Sequence, residues 1–369
     1  MNNSFDDDYY MKMAIELAKG GIGKTLSNPL VGCVIVKNGE IIGKGYHEKF
    51  GRAHAEVNAI NNALNHVKTL EGSTLFVNLE PCSHYGKTPP CANRIIKEKI
   101  SRVVIGTKDP FEKVSGRGIR ILKDAGISVS ENVMKEECIK LNERFFSYIK
   151  KKRPFVVLKT AMSLDGKIAT KTGDSKWVTS ESSRKFSHEL RGKLDAVMVG
   201  INTVINDNPS LNVRYGNYRN NPIRVIVDTN LKIPINSKVL SEKLESFTII
   251  ATTKNFDEKK YEILKSKENI KIVVAEEKNG HVDLKDLLNK LMEFNISSIL
   301  LEGGGVLNAS MLKENLVDKF YIFIAPKIIG SDGKPVIGEM NFENLNDVIK
   351  LSELELKKIS DDILIIGRI

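Results

Sequence analysis

Four residues in the first quarter of the chain have the types and order needed to hold a metal ion beside a proton-transfer group. His54 and Glu56 lie at the start of a predicted helix, Cys82 follows a predicted strand, and Cys91 precedes another helix. One imidazole and two thiolates suit tetrahedral zinc with the fourth position left for water, which is typical of a catalytic zinc. Both cysteines lie near a predicted helix N-terminus, where the helix dipole favours the thiolate.

This order, His-x-Glu and later Pro-Cys, is that of zinc deaminases, in which the glutamate moves protons and does not bind the metal. We therefore predict that Glu56 accepts a proton as water attacks the ring carbon bearing the amine, and then protonates the leaving nitrogen. The spacing departs from that pattern, because eight residues separate Cys82 from Cys91 and not two. Within this insert, His84 is an alternative ligand, a substrate contact or a plain loop residue. Lys87 either faces an anionic substrate group or is solvated.

A second group of candidate residues lies in the last two thirds of the chain. Glu302 and the glycines at 303–305 stand between a predicted strand and a predicted helix, where backbone N–H groups can bind phosphate. A tight strand-to-helix turn explains the glycines equally well, and the G-x-G-x-x-G fingerprint is missing. Arg191 and Arg214 offer planar forks of donors to a phosphate, or they form surface ion pairs.

The apolar pattern predicts an α/β domain that positions the first group. The predicted helices lie at 9–18, 55–64, 92–99, 118–125 and 134–149, and the predicted strands at 31–36, 41–46, 74–77 and 102–106. A Lys-Asn-Gly-Glu segment joins the first two strands and predicts a hairpin. We expect an α/β sandwich of about 150 residues.

The remainder of the chain predicts a second α/β domain. The predicted strands lie at 155–161, 196–200, 223–227, 247–251, 270–275, 298–301, 320–324 and 363–366, with helices at 182–190 and 284–294 among them. This alternation favours a mostly parallel sheet whose last strand is antiparallel. The basic run at 150–153 before Pro154 predicts a solvated connector or, alternatively, a nucleic-acid arm. We place the domains at 1–150 and 151–369.

Composition restricts the class of protein. The 369 residues are 41% hydrophobic and 28% charged, which indicates a globular chain of about two domains. No apolar run approaches the length of a membrane helix, and the N-terminus has no secretory pattern, so we expect a cytoplasmic protein. The net charge of +10 suits nucleic acid, phosphorylated small molecules or simply solvated helix faces. Cys33 and Cys138 are predicted to be buried thiols.

The first part of the chain resembles the riboflavin-pathway deaminase. The segments that carry the resemblance are N-P-L-V-G-C-V-I-V at 28–36, G-Y-H at 45–47, H-A-E at 54–56 and P-C-S-H-Y-G-K-T-P-P-C at 81–91. The long insert between the cysteines is itself typical of that family. The resemblance implies a cytidine-deaminase-like α/β/α sandwich with one Zn²⁺ per chain. It also implies a diamino-ribosylamino-pyrimidinone 5′-phosphate as substrate, in a pocket lined by Asn28, His47 and Lys87.

From about residue 154 onward the chain resembles the riboflavin-pathway reductase, whose fold resembles dihydrofolate reductase. The resemblance is carried by K-T-A-M-S-L-D-G-K-I-A at 159–169, S-K-W at 175–177 and matched positions between 190 and 214. It implies NADPH as cofactor, contacted by Ala161, Trp177, Thr203, Asp207, Thr229, Gly304 and Gly305. It implies substrate contacts from Ser175, Arg191, Leu211, Arg214 and Glu302.

Together the two resemblances imply a bifunctional riboflavin biosynthesis enzyme that deaminates the pyrimidine and then transfers hydride to C1′ of the ring-opened ribosyl group. Lys159 and Asp207 are the candidates for moving protons in the second reaction. The expected partners are phosphorylated pyrimidines, not nucleic acid or membrane, and the expected assembly is a homodimer or homotetramer. A nucleic-acid deaminase, a non-catalytic zinc protein and a fusion with one active half remain alternatives.

Overall fold

The computed structural model describes residues 6–83, 90–111, 115–216, 221–241 and 245–369. Its chain divides into two compact units, Met1–Lys152 and Arg153–Ile369, here called unit 1 and unit 2. Among the described residues, no helix has both the length and the apolar character needed to cross a bilayer.

Unit 1 is built on a five-stranded sheet. Its strands are β1 (Gly32–Lys37), β2 (Glu40–Tyr46), β3 (Thr74–Val77), β4 (Arg102–Ile105) and β5 (Ser128–Glu131). Its helices are α1 (Asp7–Ala18), α2 (Ala55–Leu64), α3 (Cys91–Lys97), α4 (Arg117–Asp124), α5 (Lys135–Leu141) and α6 (Glu143–Lys151). The strand order is β2-β1-β3-β4-β5, with β1 antiparallel to both neighbours and β3, β4 and β5 parallel. The predicted hairpin is confirmed.

Helices cover both faces of this sheet. Successive side chains of a strand point to opposite faces, so neighbouring residues of β1 enter different core clusters. Cys33 and Ile35 of β1 pack with α2, α3 and α4 in one core cluster, whereas Val34 packs with α1 and Cys138 in another. The predicted α/β/α sandwich is confirmed, and so is the burial of the Cys33 and Cys138 thiols.

Close contact between α2 and β2 fixes the helix that carries two of the chemical residues. A side chain at Gly45 of β2 would collide with the backbone of Ala55 and Ala59. Glycine therefore lets the first two turns of α2 lie directly on the strand. His54, the N-cap of this helix, and Glu56 are held by that contact.

Unit 2 is built on a nine-stranded sheet. Its strands and those of two small ribbons are β6 (Phe155–Ser163), β7 (Lys167–Ala169), β8 (Ala196–Gly200), β9 (Ile223–Val227), β10 (Thr248–Thr252), β11 (Ile270–Val274), β12 (Glu277–Lys278), β13 (His281–Val282), β14 (Ser298–Leu301), β15 (Lys319–Ala325), β16 (Lys334–Pro335), β17 (Ser352–Ile359) and β18 (Asp362–Arg368). Its helices are α7 (Glu181–Lys193), α8 (Ile201–Asp207), α9 (Lys238–Ser241), α10 (Glu258–Lys265), α11 (Leu284–Leu291) and α12 (Gly305–Lys313). Short 3₁₀ turns occupy Lys19–Gly21 in unit 1 and Met292–Phe294 in unit 2.

The order of the large sheet is β11-β10-β9-β8-β14-β6-β15-β18-β17. Every pair from β11 to β15 is parallel, and β18 and β17 are antiparallel to their neighbours. The predicted parallel sheet with an antiparallel last strand is confirmed. Helices pack on both faces, because Met198 of β8 belongs to one core cluster and Val197 to another.

Two sequence predictions were wrong in detail. The helix predicted at 134–149 is two helices that break at Asn142, whose side chain bonds the backbone of Leu30. The run at 150–153 is not a uniformly solvated connector, because α6 continues to Lys151 and Arg153 forms a two-bond ion pair with Asp318. Two edge strands were not predicted: β5 of the five-stranded sheet and β17 of the nine-stranded sheet.

Candidate active sites

Unit 1 brings three metal-binding atoms together. The Nδ1 atom of His54 lies 3.6 Å from Sγ of Cys82 and 3.3 Å from Sγ of Cys91, and the three atoms lie within 4.8 Å of one another. A tetrahedral zinc ion separates a nitrogen ligand from a sulfur ligand by roughly 3.5 Å, given bonds of about 2.0 Å and 2.3 Å. The donor set and its spacing therefore fit zinc with a fourth position left open.

The two cysteines reach this point from different elements. Cys91 is the first residue of α3, and Cys82 lies in the loop after β3. The backbone N–H of Cys91 donates to Sγ of Cys82 at 3.2 Å. Hydrogen bonds from Cys91 and His54 lower the pKa of the Cys82 thiol, against the opposing effect of burial. The lowered pKa favours the thiolate, the form that binds a metal.

Glu56 lies beside these residues but is not one of the three grouped ligands. Its side chain is buried, with 3% of the residue exposed. Burial, followed by the negative charge of Cys82, raises the pKa of Glu56 to about 7. A carboxyl group with that pKa can both accept and donate a proton near neutral pH, as general acid–base catalysis requires.

Asn28 and His47 form a hydrogen-bonded pair next to the metal ligands. Nδ1 of His47 lies 3.0 Å from the carbonyl oxygen of Ala53, and Nε2 lies 3.1 Å from Nδ2 of Asn28. Because a carbonyl only accepts, Nδ1 carries the proton and Nε2 accepts from the Asn28 amide. Burial lowers the pKa of His47, which favours this neutral form. Oδ1 of Asn28 is left as an acceptor that can read an N–H group.

These residues share a pocket of about 350 Å³ in unit 1, within the size range of sites for small organic ligands. Asn28, His47, His54, Glu56 and Cys82 line it. It is also lined by residues that sequence reasoning missed: Glu80, Asp109 and Phe111 from loops, and Phe145, Tyr148 and Ile149 from α6. The aromatic run in α6 was the available signal. Lys87 and His84 lie outside the described residues.

Glu80 organises one rim of this pocket. Its carboxylate accepts from the backbone N–H groups of Gly116 at 2.9 Å, Ile119 at 3.2 Å and Asp109 at 3.3 Å. Three backbone donors on one buried carboxylate fix the loop that leads into α4. Glu80 thereby holds Asp109 at the pocket.

Unit 2 contains a second polar cluster, centred on an ion pair. Arg191 of α7 donates to Glu302 through Nε at 2.9 Å and Nη2 at 2.6 Å, and both side chains are mostly buried. Burial alone raises the pKa of Glu302, but the charges of Arg191 and Lys159 outweigh it and bring the pKa to about 2. Burial lowers the pKa of Lys159 on β6, although the charge of Glu302 opposes this.

His188, which sequence reasoning missed, joins this cluster to residues 211–214. It lies one turn before Arg191 on α7, and both side chains reach the carbonyl oxygen of Asn212, at 3.0 Å and 3.1 Å. Nε2 of His188 lies 3.5 Å from Nη2 of Arg214. Burial and the charges of Arg191 and Arg214 lower the pKa of His188 to about 4. The His-x-x-Arg spacing on one helix face could have identified it.

Several predicted reductase residues meet near the carboxyl ends of adjacent parallel strands. Glu302 and Gly304 follow β14, the first turn of α8 with Thr203 follows β8, and Ala161 lies towards the end of β6. Crevices at such strand ends are the usual ligand sites of parallel α/β sheets. Gly304 is the N-cap of α12, and Gly305 is its first residue.

The other predicted residues are placed as follows. Leu211 is buried, Ser175 is half-buried and Arg214 is exposed. Trp177 is 58% exposed, with the guanidinium of Arg184 4.4 Å from the ring centre.

None of these contacts places Asp207 or Thr229 in the Arg191 cluster. Asp207 is exposed at the end of α8. It is not among the charges that shift the pKa of Lys159, which are those of Glu302 and Arg191. The carbonyl oxygen of Thr229 accepts from the hydroxyls of Thr252 and Thr253.

Comparison with known proteins gives matches over nearly the whole chain. Residues 154–365 match the family model described as the RibD C-terminal domain, and residues 4–107 match the cytidine and deoxycytidylate deaminase zinc-binding region. The riboflavin biosynthesis protein RibD of Actinobacillus pleuropneumoniae is 45% identical over 368 residues, which are 99% of this chain and 96% of that protein. The RibD protein of Aquifex aeolicus is 44% identical, over 97% of both chains.

Two solved structures are also similar over 98% of both chains. One is RibD of Acinetobacter baumannii, with a TM-score of 0.87 and 34% identity. The other comes from Thermotoga maritima and is described as a diaminohydroxyphosphoribosylaminopyrimidine deaminase and 5-amino-6-(5-phosphoribosylamino)uracil reductase, with a TM-score of 0.86 and 38% identity.

Proposed function

Because this chain belongs to the RibD family, whose members are bifunctional zinc-dependent deaminases and reductases of riboflavin biosynthesis, we propose which of its residues carry each reaction. Residues 1–150 form the deaminase domain and act on 2,5-diamino-6-ribosylamino-4(3H)-pyrimidinone 5′-phosphate. Residues 151–369 form the reductase domain and reduce 5-amino-6-(5-phosphoribosylamino)uracil with NADPH. The observation that carries the deaminase half is the three grouped ligand atoms with the buried Glu56 beside them.

In the deaminase, His54, Cys82 and Cys91 hold the metal. When bound there, zinc supplies Lewis-acid activation of water at neutral pH. Glu56 accepts a proton from the attacking water and delivers it to the departing amine nitrogen. Asn28 accepts from an N–H group of the pyrimidine, and His47 holds the Asn28 amide in that orientation. Lys87 pairs with the substrate phosphate, a role that rests on the family motif.

In the reductase, NADPH, when bound, supplies the hydride. We assign cofactor contacts to Ala161, Trp177, Thr203, Asp207, Thr229, Gly304 and Gly305. Substrate contacts are assigned to Ser175, Arg191, Leu211, Arg214 and Glu302.

Within this set, Arg191 uses two of its donors on Glu302 and so fixes that carboxylate, whereas the exposed Arg214 is the better phosphate partner. Lys159, whose pKa burial lowers, is the favoured proton donor at the ring-opened sugar, and Asp207 is the second candidate.

We further propose a cytoplasmic homo-oligomer, a dimer or tetramer, that acts on phosphorylated pyrimidines and not on nucleic acid. The last strand of the large sheet, β17, supports self-association, because Leu354 is 61% exposed and Leu356 is 69% exposed on this edge. The two leucines alternate with charged residues, and an edge strand with exposed apolar side chains can pair with another chain.

A coupled assay tests the proposal. The purified protein is given the diamino-ribosylamino-pyrimidinone phosphate, and ammonia release and NADPH oxidation are followed together. We expect ammonia first, then NADPH oxidation, and ammonia alone when NADPH is omitted. Ammonia without NADPH oxidation would remove the reductase assignment. Deamination of tRNA or single-stranded DNA in place of this substrate would remove the substrate assignment.

A further inference from the structure

One wall of the deaminase pocket comes from α6, which lies outside the part of the chain shared with other zinc deaminases. The match to the cytidine and deoxycytidylate deaminase zinc-binding region ends at residue 107. Phe145, Tyr148 and Ile149 nevertheless line the same pocket as His54, Glu56 and Cys82. The catalytic groups are thus generic, whereas this wall is an addition.

The three wall residues form one face of the helix. Positions 145, 148 and 149 have the i, i+3, i+4 spacing that places side chains next to each other on a helix surface. All three are half-buried, whereas Lys150 of the same helix is exposed and is not among the residues that line the pocket. The face offers two aromatic rings and a branched aliphatic side chain, which suit the C–H face of a sugar, the apolar side of an otherwise polar group.

Hydrogen bonds from two asparagine side chains, here called the Leu30 clamp, hold this helix against the segment that follows Asn28. Asn142, the residue before α6, accepts from the backbone N–H of Leu30 at 2.8 Å and donates to its carbonyl oxygen at 2.9 Å. Asn78, at the end of β3, donates to the same carbonyl oxygen at 2.9 Å and accepts from the N–H of Gly32 at 2.8 Å. Because Leu30 is two residues from Asn28, these hydrogen bonds couple the position of the α6 wall to that of the Asn28 side-chain amide.

We propose that α6 is the specificity element of the deaminase, and that its Phe145–Tyr148–Ile149 face packs against the ribosylamino arm of the pyrimidinone. The inference rests on the proposed substrate. The substrates of zinc deaminases share an amino-bearing ring that lies next to the metal. The residues of the shared zinc-binding region therefore recognise the part that cytosine nucleotides and this pyrimidinone have in common. Residues beyond that region can add discrimination between them, and a wall that contacts the arm selects by differential binding.

The test compares Phe145→Ala with a matched control on the same helix, Lys150→Ala. For each protein, KM and kcat of ammonia release are measured with the full substrate phosphate. The arm-free ring, 2,5,6-triamino-4-pyrimidinone, is measured as a competitive inhibitor. We expect Phe145→Ala to raise KM about tenfold, as the loss of one buried aromatic contact would. Zinc content, kcat and the inhibition constant of the arm-free ring should change less than about twofold. Lys150→Ala should match the wild type.

An unchanged KM in Phe145→Ala would overturn the proposal. So would an equal weakening of the substrate and of the arm-free ring, because that pattern indicates a general disturbance of the site. If Phe145→Ala does not fold, Phe145→Leu is measured in its place, with a smaller rise in KM expected. Failure of the wild type to deaminate the substrate would instead remove the proposed function itself, so the two failures are distinguishable.

Discussion

At the scale of single residues, the proposed deaminase site contains one carboxyl group whose burial changes its protonation. Glu56 lies in the first turn of a helix whose N-cap is His54, so the proposed metal ligand and the proposed proton carrier are fixed by the same backbone. Burial raises the pKa of Glu56 to about 7. The residue can therefore hold the transferred proton between the two halves of the reaction.

Replacing this carboxyl group separates metal binding from catalysis. Glu56→Gln keeps the size and burial of the side chain but cannot carry the proton. We expect zinc content to stay at one per chain and ammonia release to fall by about 10²–10⁴-fold. Metal analysis and an ammonia assay on the same sample check this. A zinc-loaded variant that retained normal activity would show that another group moves the proton.

His188 gives unit 2 a pH-dependent stability. Its folded pKa is about 4, below the value near 6.5 of an unfolded histidine. Between these values only the unfolded state binds the proton, so the free energy of unfolding falls as pH falls from 6.5 towards 4. We expect His188→Gln to lose less stability than the wild type over this window, by ~1–3 kcal/mol.

Urea unfolding at pH 7 and pH 5 measures this difference. The only tryptophan of the chain, Trp177, lies in unit 2 and reports on that unit by fluorescence. His281→Gln, which changes an exposed histidine of the same unit, is the control and should keep the wild-type pH dependence. Equal pH dependence in all three proteins would show that the pKa of His188 does not differ between the folded and unfolded states.

The sequence predicts residues that share a short motif and misses those that meet only through the fold. His54 and Glu56 are two positions apart and carry a pattern of their own, and the cysteines follow in a set order. His188 carries only the weaker His-x-x-Arg spacing, and its partner at Asn212 lies 24 residues further along the chain. Phe145 and Tyr148 line the pocket from the helix that follows Asn142, whose side chain bonds to a residue 112 positions away.

At the scale of elements, the glycine turn before α12 makes a prediction with an internal control. A side chain at Gly305 would lie 2.6 Å from the carbonyl oxygen of Pro335, whereas one at Gly304 would meet nothing within 4 Å in the protein. We expect Gly305→Ala to lower the free energy of unfolding of unit 2 by about 1–3 kcal/mol. Gly304→Ala should leave that stability unchanged but weaken NADPH binding, because its open side is where we place the cofactor.

Denaturant unfolding and NADPH titration of both variants check this pair of outcomes. A stable Gly305→Ala protein would show that the turn can shift away from Pro335. Normal NADPH affinity in Gly304→Ala would place the cofactor elsewhere.

Elements with strong apolar periodicity were predicted close to their observed ends, and the exceptions have physical causes. The helix predicted at 134–149 breaks because Asn142 uses its side chain on the backbone of Leu30, a long-range contact that local propensity does not reveal. The sheet-ending strand β17 was missed because its sequence, S-E-L-E-L-K-K-I, is mostly charged or polar, as exposed edge strands often are.

At the scale of the whole molecule, the chemical groups divide cleanly between the two units. The three metal ligands and Glu56 lie in unit 1, and Lys159, Arg191 and Glu302 lie in unit 2. Removal of zinc with a chelator should therefore abolish ammonia release. Reduction of the deaminated intermediate by NADPH should keep most of its rate. Parallel assays before and after chelation, with zinc added back, check this. Loss of both activities together would show that unit 2 depends on the metal.

The position of α6 also determines where the gene could be cut to obtain a portable deaminase. A fragment that ended soon after residue 107 would retain every metal ligand and Glu56. It would lose Asn142, whose side chain bonds the backbone of Leu30, and it would lose α6, which forms one wall of the pocket. For protein engineering, we therefore expect the smallest transferable deaminase to extend through the end of α6 at Lys151. If α6 selects the substrate as we propose, exchanging that helix between homologues should change the substrate preference and leave the metal ligands in place.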